Sequence, residues 1–231
     1  MKKILVVEDD REINQLIVRY LEKEGFELYP AYDGNEAFSC LTHHEYQLAI
    51  VDLMLPHADG HDVLRKIRAK GTIPVIILSA KDREMDKILA LELGADDYMT
   101  KPFTIGELVA RAKAQLRRYT EFQLDAVGIE AETIKHADLV LNLNTGEAVV
   151  DGRIKTLTAK EFAILKLFLT HPGRVFTKSQ IYERVWREES LSDENTIMVH
   201  INRLRSKIEK DPSTPAYIQT VWGFGYKLGE R

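Results

Sequence analysis

The chain opens on an unbroken apolar run, Ile4-Leu-Val-Val7, and runs of the same kind return at Leu48-Ala-Ile-Val51 and Pro74-Val-Ile-Ile-Leu78. Runs of this length without polar interruption suit parallel strands buried on both faces. Two further strands, Glu27–Tyr32 and Asp97-Tyr-Met-Thr100, bring the number to five. Between strands the apolar spacing changes to that of helices. Ile13, Leu16, Ile17, Tyr20 and Leu21 share one face, and Gly25 stands where a helix would be capped. Gly34–Leu41, Val63–Ala69, Met85–Leu93 and Glu107–Leu116 supply four more helices. Five strand–helix units in succession predict a doubly wound parallel sheet of the (βα)5, flavodoxin-like kind.

From Arg118 to about His136 the periodicity fades and charged residues mix with small ones, as in a linker. Beyond it the pattern is different. Leu139-Val-Leu-Asn-Leu143 alternates, and turn signals follow at Asn144-Thr-Gly146 and Asp151-Gly152, which predicts a small antiparallel sheet. Thr158-Ala-Lys-Glu161 and Thr177-Lys-Ser-Gln180 are capping boxes, each opening a helix. The first stops near Pro172-Gly173 and the second at Trp186. A third helix starts near Ser192 or Asp193 and runs to about Lys210, before two strands around Gly223-Phe-Gly225.

Charge divides with the pattern. Residues 1–134 hold 17 Lys/Arg against 24 Asp/Glu, while residues 135–231 hold 15 against 12, so the halves differ in sign. The lone cysteine, Cys40, excludes an internal disulfide framework, and no Cys/His spacing fits a zinc site. No apolar stretch is long enough for a membrane span, and Met1-Lys-Lys leads directly into a strand rather than a leader peptide. The expectation is a cytoplasmic protein with no membrane partner.

The candidate chemistry sits at the strand ends. Glu8-Asp9, Asp52, Ser79 and Lys101 each follow or close a predicted strand, and ligands of open parallel sheets bind beyond those carboxyl ends. Taken singly, an acidic residue there is more often a helix cap. Together, three carboxylates would repel one another and favour a divalent cation such as Mg2+, which takes oxygen ligands. A lysine ammonium beside them suits a phosphoryl oxygen, and Asp52 is then a candidate nucleophile.

Val6-Val-Glu-Asp-Asp10, Asp52-Leu-Met-Leu-Pro56 with Asp59-Gly60, Leu78-Ser-Ala80, Gly94-Ala-Asp-Asp-Tyr98 and Lys101-Pro-Phe103 resemble the signature series of two-component receiver domains over residues 2–119. The resemblance implies that Glu8, Asp9, Asp52 and the backbone carbonyl of Met54 hold Mg2+, and that Asp52 accepts phosphate from a sensor histidine kinase. Lys101 would contact the phosphoryl group, Ser79 would reorient toward it, Tyr98 would turn inward, and the Lys101–Pro102 bond would be cis. The domain would be no enzyme beyond assisting its own Mg2+-dependent phosphotransfer and dephosphorylation. It also implies a homodimer on phosphorylation, with ion pairs Lys87–Glu107, Asp97–Arg111 and Asp96–Arg118 between subunits.

In the third C-terminal helix Ile197, Ile201, Leu204 and Ile208 form the inward stripe, leaving Thr196, His200, Asn202, Arg203, Arg205 and Lys207 opposite, a basic and hydrogen-bonding face suited to the DNA major groove. Leu157-Thr-X-X-Glu161-Phe162, Val199-His-Ile-X-X-Leu-Arg-X-Lys207 and Gly223-Phe-Gly-Tyr226 resemble the winged helix-turn-helix effector of the OmpR/PhoB family over residues 135–229. Ala114-Gln-Leu-Arg-Arg-Tyr119 and Trp222 make the chain most similar to the VanR-type regulators within it. The resemblance implies a receiver at 1–119, a linker at 120–134 and an effector at 135–231 that binds promoter DNA through His200, Asn202, Arg203, Arg205 and Lys207. Tyr226 would brace or contact the wing. Two other readings stand beside this one. A Mg2+-dependent phosphatase using Asp52 would want an acid/base carboxylate two residues on, where Met54 stands. A constitutive DNA-binding protein with a purely dimerising receiver would not need a complete pocket.

Overall fold

The structure is a computed structural model and describes residues 1–56, 59–80, 84–124, 132–186 and 194–230, with backbone alone at 118–124 and 194. The chain forms two compact units, Met1–Tyr119 and Thr120–Arg231.

The first unit runs β1 (Lys3–Val7), α1 (Arg11–Lys23), β2 (Glu27–Ala31), α2 (Gly34–His43), β3 (Leu48–Asp52), α3 (Gly60–Lys70), β4 (Val75–Ser79), α4 (Glu84–Leu93), β5 (Asp97–Thr100) and α5 (Ile105–Leu124). All strand pairs are parallel, in the order β2-β1-β3-β4-β5. This is the doubly wound sheet that the apolar runs predict. Every residue of β3 and β4 is buried, as helices on both faces require. Pro30, which lacks a donor for a sheet ladder, is accommodated on the edge strand β2. Aspartates start the helices: Asp10 accepts from the amides of Glu12 and Ile13, Asp33 from Glu36, and Asp59 from His61.

The second unit opens with a four-stranded antiparallel meander, β6 (Thr133–His136), β7 (Leu139–Asn142), β8 (Glu147–Val150) and β9 (Arg153–Thr156). Asp151 and Gly152, with φ of 48° and 73°, make the two-residue turn of the β8–β9 hairpin. Then come α6 (Ala159–Leu169), α7 (Lys178–Trp186), α8 (Glu194–Ile208) and the hairpin β10 (Ile218–Val221) and β11 (Gly225–Leu228). Both capping boxes form, with Glu161 accepting from the Thr158 amide at 2.8 Å and Gln180 from the Thr177 amide at 3.2 Å. Phe162, Phe168, Phe176, Ile181, Trp186, Ile197, Ile201 and Leu204 meet in one core. Two mutual backbone bonds between Phe176 and Tyr226, of 2.8 and 2.9 Å, tie the hairpin to the α6–α7 connection.

The stretch of faded periodicity differs from expectation at both ends. α5 continues to Leu124, and β6 starts at Thr133. β6 escapes sequence reading because Ile134 is the one apolar residue of its four, packed on the core from the sheet edge. Residues 125–131 of the expected linker, and Ser192 and Asp193 at the expected start of α8, lie outside the described residues.

Candidate functional site

Strand order reverses between β1 and β3, and the crevice beyond their carboxyl ends collects the predicted groups. Glu8, Asp9 and Asp52 each place a carboxylate oxygen within 4.8 Å of the others. Lys101 bridges them, its Nζ donating to Asp52 Oδ2 at 2.5 Å and lying 2.8 and 2.7 Å from the two Glu8 oxygens. The other Asp52 oxygen accepts the Met54 amide at 2.8 Å. Glu8 is fully buried and Asp52 nearly so, while Asp9 is exposed, so the pocket opens to solvent through Asp9.

The electrostatics follow from that burial. Desolvation pushes the Glu8 carboxyl above its ordinary value, Asp52 adds to the push, and Lys101 opposes it. Burial works against the Lys101 ammonium, but its bonds to Asp52 and Glu8 outweigh that and hold it above its ordinary value. An all-oxygen donor set with one solvent-facing carboxylate fits a hard divalent cation that keeps part of its water shell.

Two supports of this pocket have no role assigned in the sequence reading. Asn14, fully buried on α1, donates from Nδ2 to the carbonyls of Glu8 and Ala31 at 3.0 and 3.1 Å and so ties the ends of β1 and β2. Gly60 packs against the Asp52 backbone so closely that a Cβ there would stand 2.2 Å from the Asp52 carbonyl oxygen. The Asp59-Gly60 pair signals the second; nothing in the sequence singles out Asn14. Ser79 is buried at the end of β4, and its carbonyl accepts the Lys101 amide at 2.8 Å. The Lys101–Pro102 bond is cis. Tyr98, 8% exposed, occupies the inward position that the resemblance assigns to the phosphorylated state.

On the α4–β5–α5 face one of the three expected pairs, Asp97–Arg111, forms within the chain. Arg111 holds both Asp97 oxygens at 3.0 Å and Glu107 at 3.0 Å. Asp96 does not present a surface carboxylate: it is fully buried, accepting Arg68 at 2.7 Å and the Val75 amide at 2.9 Å. Arg68 also binds the carbonyls of Gly94 and Ile73, which locks α3 to the segment entering β5. Lys87 lies half-buried on α4, and the Arg118 side chain lies outside the described residues.

The candidate DNA face needs larger correction. His200 is fully buried with its ring 5.3 Å from that of Trp186. Arg205 is 8% exposed and clamps the hairpin, donating to the Ile218 carbonyl at 2.9 and 2.6 Å and to Thr220 Oγ1 at 2.9 Å. Tyr226 is buried beneath that guanidinium, so it braces the wing. Lys207 binds Glu161 at 2.6 Å, and Arg203 approaches the same carboxylate at 3.4 Å. The reason is packing: α6, α7 and the hairpin cover far more of α8 than its apolar stripe. Among the expected residues Asn202 is exposed, in a row with Met198 and Ser206.

An acidic phosphoryl-type pocket on a doubly wound sheet, followed by three helices and a C-terminal hairpin, defines a two-component response regulator carrying a winged-helix output domain. Residues 4–113 match the response regulator receiver domain family and residues 152–228 the C-terminal domain of transcriptional regulatory proteins. The chain is 45% identical over 98% of its length to the whole of the uncharacterized transcriptional regulatory protein YcbL of Bacillus subtilis (strain 168). It is 43% identical to the regulatory protein VanR of Enterococcus faecium, with 98% of each chain covered. Response regulator DrrB, a Thermotoga maritima OmpR/PhoB homologue, superposes with a TM-score of 0.53 at 29% identity over 99% of both chains. The chain belongs to the OmpR/PhoB family of response regulators, which are transcriptional regulators rather than metabolic enzymes. Among the described residues no helix is long and apolar enough to cross a membrane.

Proposed function

We propose that this protein is a phosphorylation-controlled transcription factor in which Asp52 takes a phosphoryl group from a sensor histidine kinase. The observation that carries the reading is Lys101 bridging Glu8 and Asp52 beside three converging carboxylates. Asp52 attacks phosphorus, the bond from phosphorus to the kinase imidazole breaks, and an acyl phosphate forms. Glu8, Asp9, Asp52 and the Met54 carbonyl would hold Mg2+, which would supply positive charge against the transferring group. Lys101 leaves its carboxylate partners for a phosphoryl oxygen, and Ser79 turns its hydroxyl the same way, keeping Tyr98 inward. The pocket returns to rest when water hydrolyses the acyl phosphate.

The phosphorylated receiver then pairs across its α4–β5–α5 face, where Met85 and Leu89 are exposed beside Lys87, Asp97, Glu107 and Arg111. The pair brings two output domains to adjacent half-sites of promoter DNA and raises occupancy through effective concentration. Labelling with radioactive acetyl phosphate and Mg2+ tests the first step: the wild type incorporates label and Asp52→Asn does not. Undiminished labelling of that variant refutes the assignment of Asp52. Size-exclusion chromatography of the labelled protein tests the second step, with a dimer expected.

A further inference from the structure

Asp9 is the solvent-facing carboxylate of the pocket, and among the described residues its side chain makes no hydrogen bond that would hold it in place. Its position is set by the chain on either side. The Glu8 carbonyl, part of the peptide that joins Glu8 to Asp9, accepts Asn14 Nδ2 at 3.0 Å, and the Asp10 carbonyl accepts the Asn14 amide at 2.8 Å. One residue of α1 therefore grips the backbone before and after Asp9. The same Nδ2 donates to the Ala31 carbonyl at 3.1 Å, which also takes the Glu8 amide at 3.1 Å, so the grip is anchored to the end of β2.

The fold alone gives a poor account of an asparagine here. Asn14 is fully buried in the same stripe of α1 as Ile17 and Leu21, and its Oδ1 has no hydrogen-bond partner among the described residues, a desolvation cost that a leucine would not carry. What the side-chain amide secures is a fixed Glu8–Asp9 peptide. Mg2+ demands near-ideal octahedral geometry at about 2.0–2.1 Å, whereas Ca2+ accepts about six to eight oxygens at about 2.3–2.6 Å in looser arrangements, so the rigidity of a donor set discriminates between them. Resting on the Mg2+ reading of the pocket above, we infer that Asn14 is a positioning residue that makes the pocket selective for Mg2+ over larger divalent cations. It does so without touching the cation, by denying Asp9 the backbone freedom with which a looser site would close around Ca2+.

The test uses the full-length, unphosphorylated protein with Mn2+ as the probe, whose paramagnetic resonance signal falls on binding, and Mg2+ or Ca2+ as the competitor. Asn14→Leu, which keeps a side chain of similar length but no donor, should weaken Mg2+ binding by about 10- to 100-fold, the range over which outer-shell partners act on metal affinity. Ca2+ binding should weaken by much less, so the Mg2+/Ca2+ affinity ratio falls. Ile17→Val loosens the same face of α1 without removing the amide, and should keep the wild-type ratio. Asn14→Ala is read in the same way should the leucine variant not fold. Equal losses for both cations, or a ratio that falls as far in Ile17→Val, make Asn14 a prop of the helix and overturn the inference. Mg2+ binding at the wild-type value overturns it too. A wild-type protein from which Mg2+ displaces no Mn2+ refutes the Mg2+ reading of the pocket, and the inference with it.

Discussion

Arg205→Ala separates a structural clamp from a DNA contact. The guanidinium is nearly buried and makes three hydrogen bonds, of 2.9, 2.6 and 2.9 Å, to the Ile218 carbonyl and Thr220 Oγ1, with the Tyr226 ring 5.5 Å away. Hydrogen bonds from a charged donor are worth about 1.5–3 kcal/mol net, and a buried carbonyl left unpaired costs about 1–3 kcal/mol. The cation–π contact adds about 0.5–2 kcal/mol. Burial also disfavours the charge, lowering the Arg205 pKa from its ordinary value, which takes back part of the gain. The net expectation is a loss of about 3–4 kcal/mol, a large share of the roughly 5–15 kcal/mol that stabilises a domain. Both tryptophans, Trp186 and Trp222, lie in the second unit, so urea unfolding followed by their fluorescence reads that unit alone. The midpoint should fall by about 1–3 M. Arg205→Lys, which keeps the charge and one donor direction, should lose about half as much. An unchanged midpoint in Arg205→Ala together with lost DNA binding would return this residue to the DNA face.

Two more outcomes follow from the pocket. Glu8 is held above its ordinary value of 4.5 in the folded chain, so its contribution is full at low pH and is lost as pH rises through the raised value. With chelator present, thermal stability relative to Glu8→Gln should therefore decline as pH rises above the ordinary value of 4.5, and a difference that is flat at every pH above it would contradict this. Gly60→Ala should destabilise the first unit by at least about 2 kcal/mol and impair acetyl-phosphate labelling, because its Cβ would meet Asp52 and Leu53 backbone atoms at 2.2 and 2.6 Å. Gly106→Ala, which meets nothing within 4 Å, serves as the control and should be neutral or slightly stabilising in thermal melts.

Three of the five parallel strands, β1, β3 and β4, were readable because burial on both faces leaves a run of apolar residues, whereas β2 with Glu27 and Pro30 and β5 with Asp97 carry no such run. The acidic pocket was readable because sheet topology alone brings strand ends together, so Glu8, Asp9, Asp52 and Lys101 needed no knowledge of loops. The DNA face was read poorly for a complementary reason. Whether His200, Arg205 and Lys207 are covered depends on Trp186, Ile218 and Glu161, residues 13 to 46 positions away in the chain. Helical periodicity identifies the inward stripe of α8 but cannot report what else leans on its flanks. Asp96 was misjudged likewise, since its burial comes from Arg68 on a different helix.

One carboxylate at the first turn of α6 moors α8 from behind. Glu161 gathers Lys207, Arg203 and the Thr158 amide. The orientation in which α8 meets a partner is thus fixed by a side chain that never reaches the partner. Met198, Asn202 and Ser206 carry none of that mooring. Under the proposed function, new operator preferences can arise at those three positions without loosening the scaffold, and paralogues should diverge there while keeping Glu161.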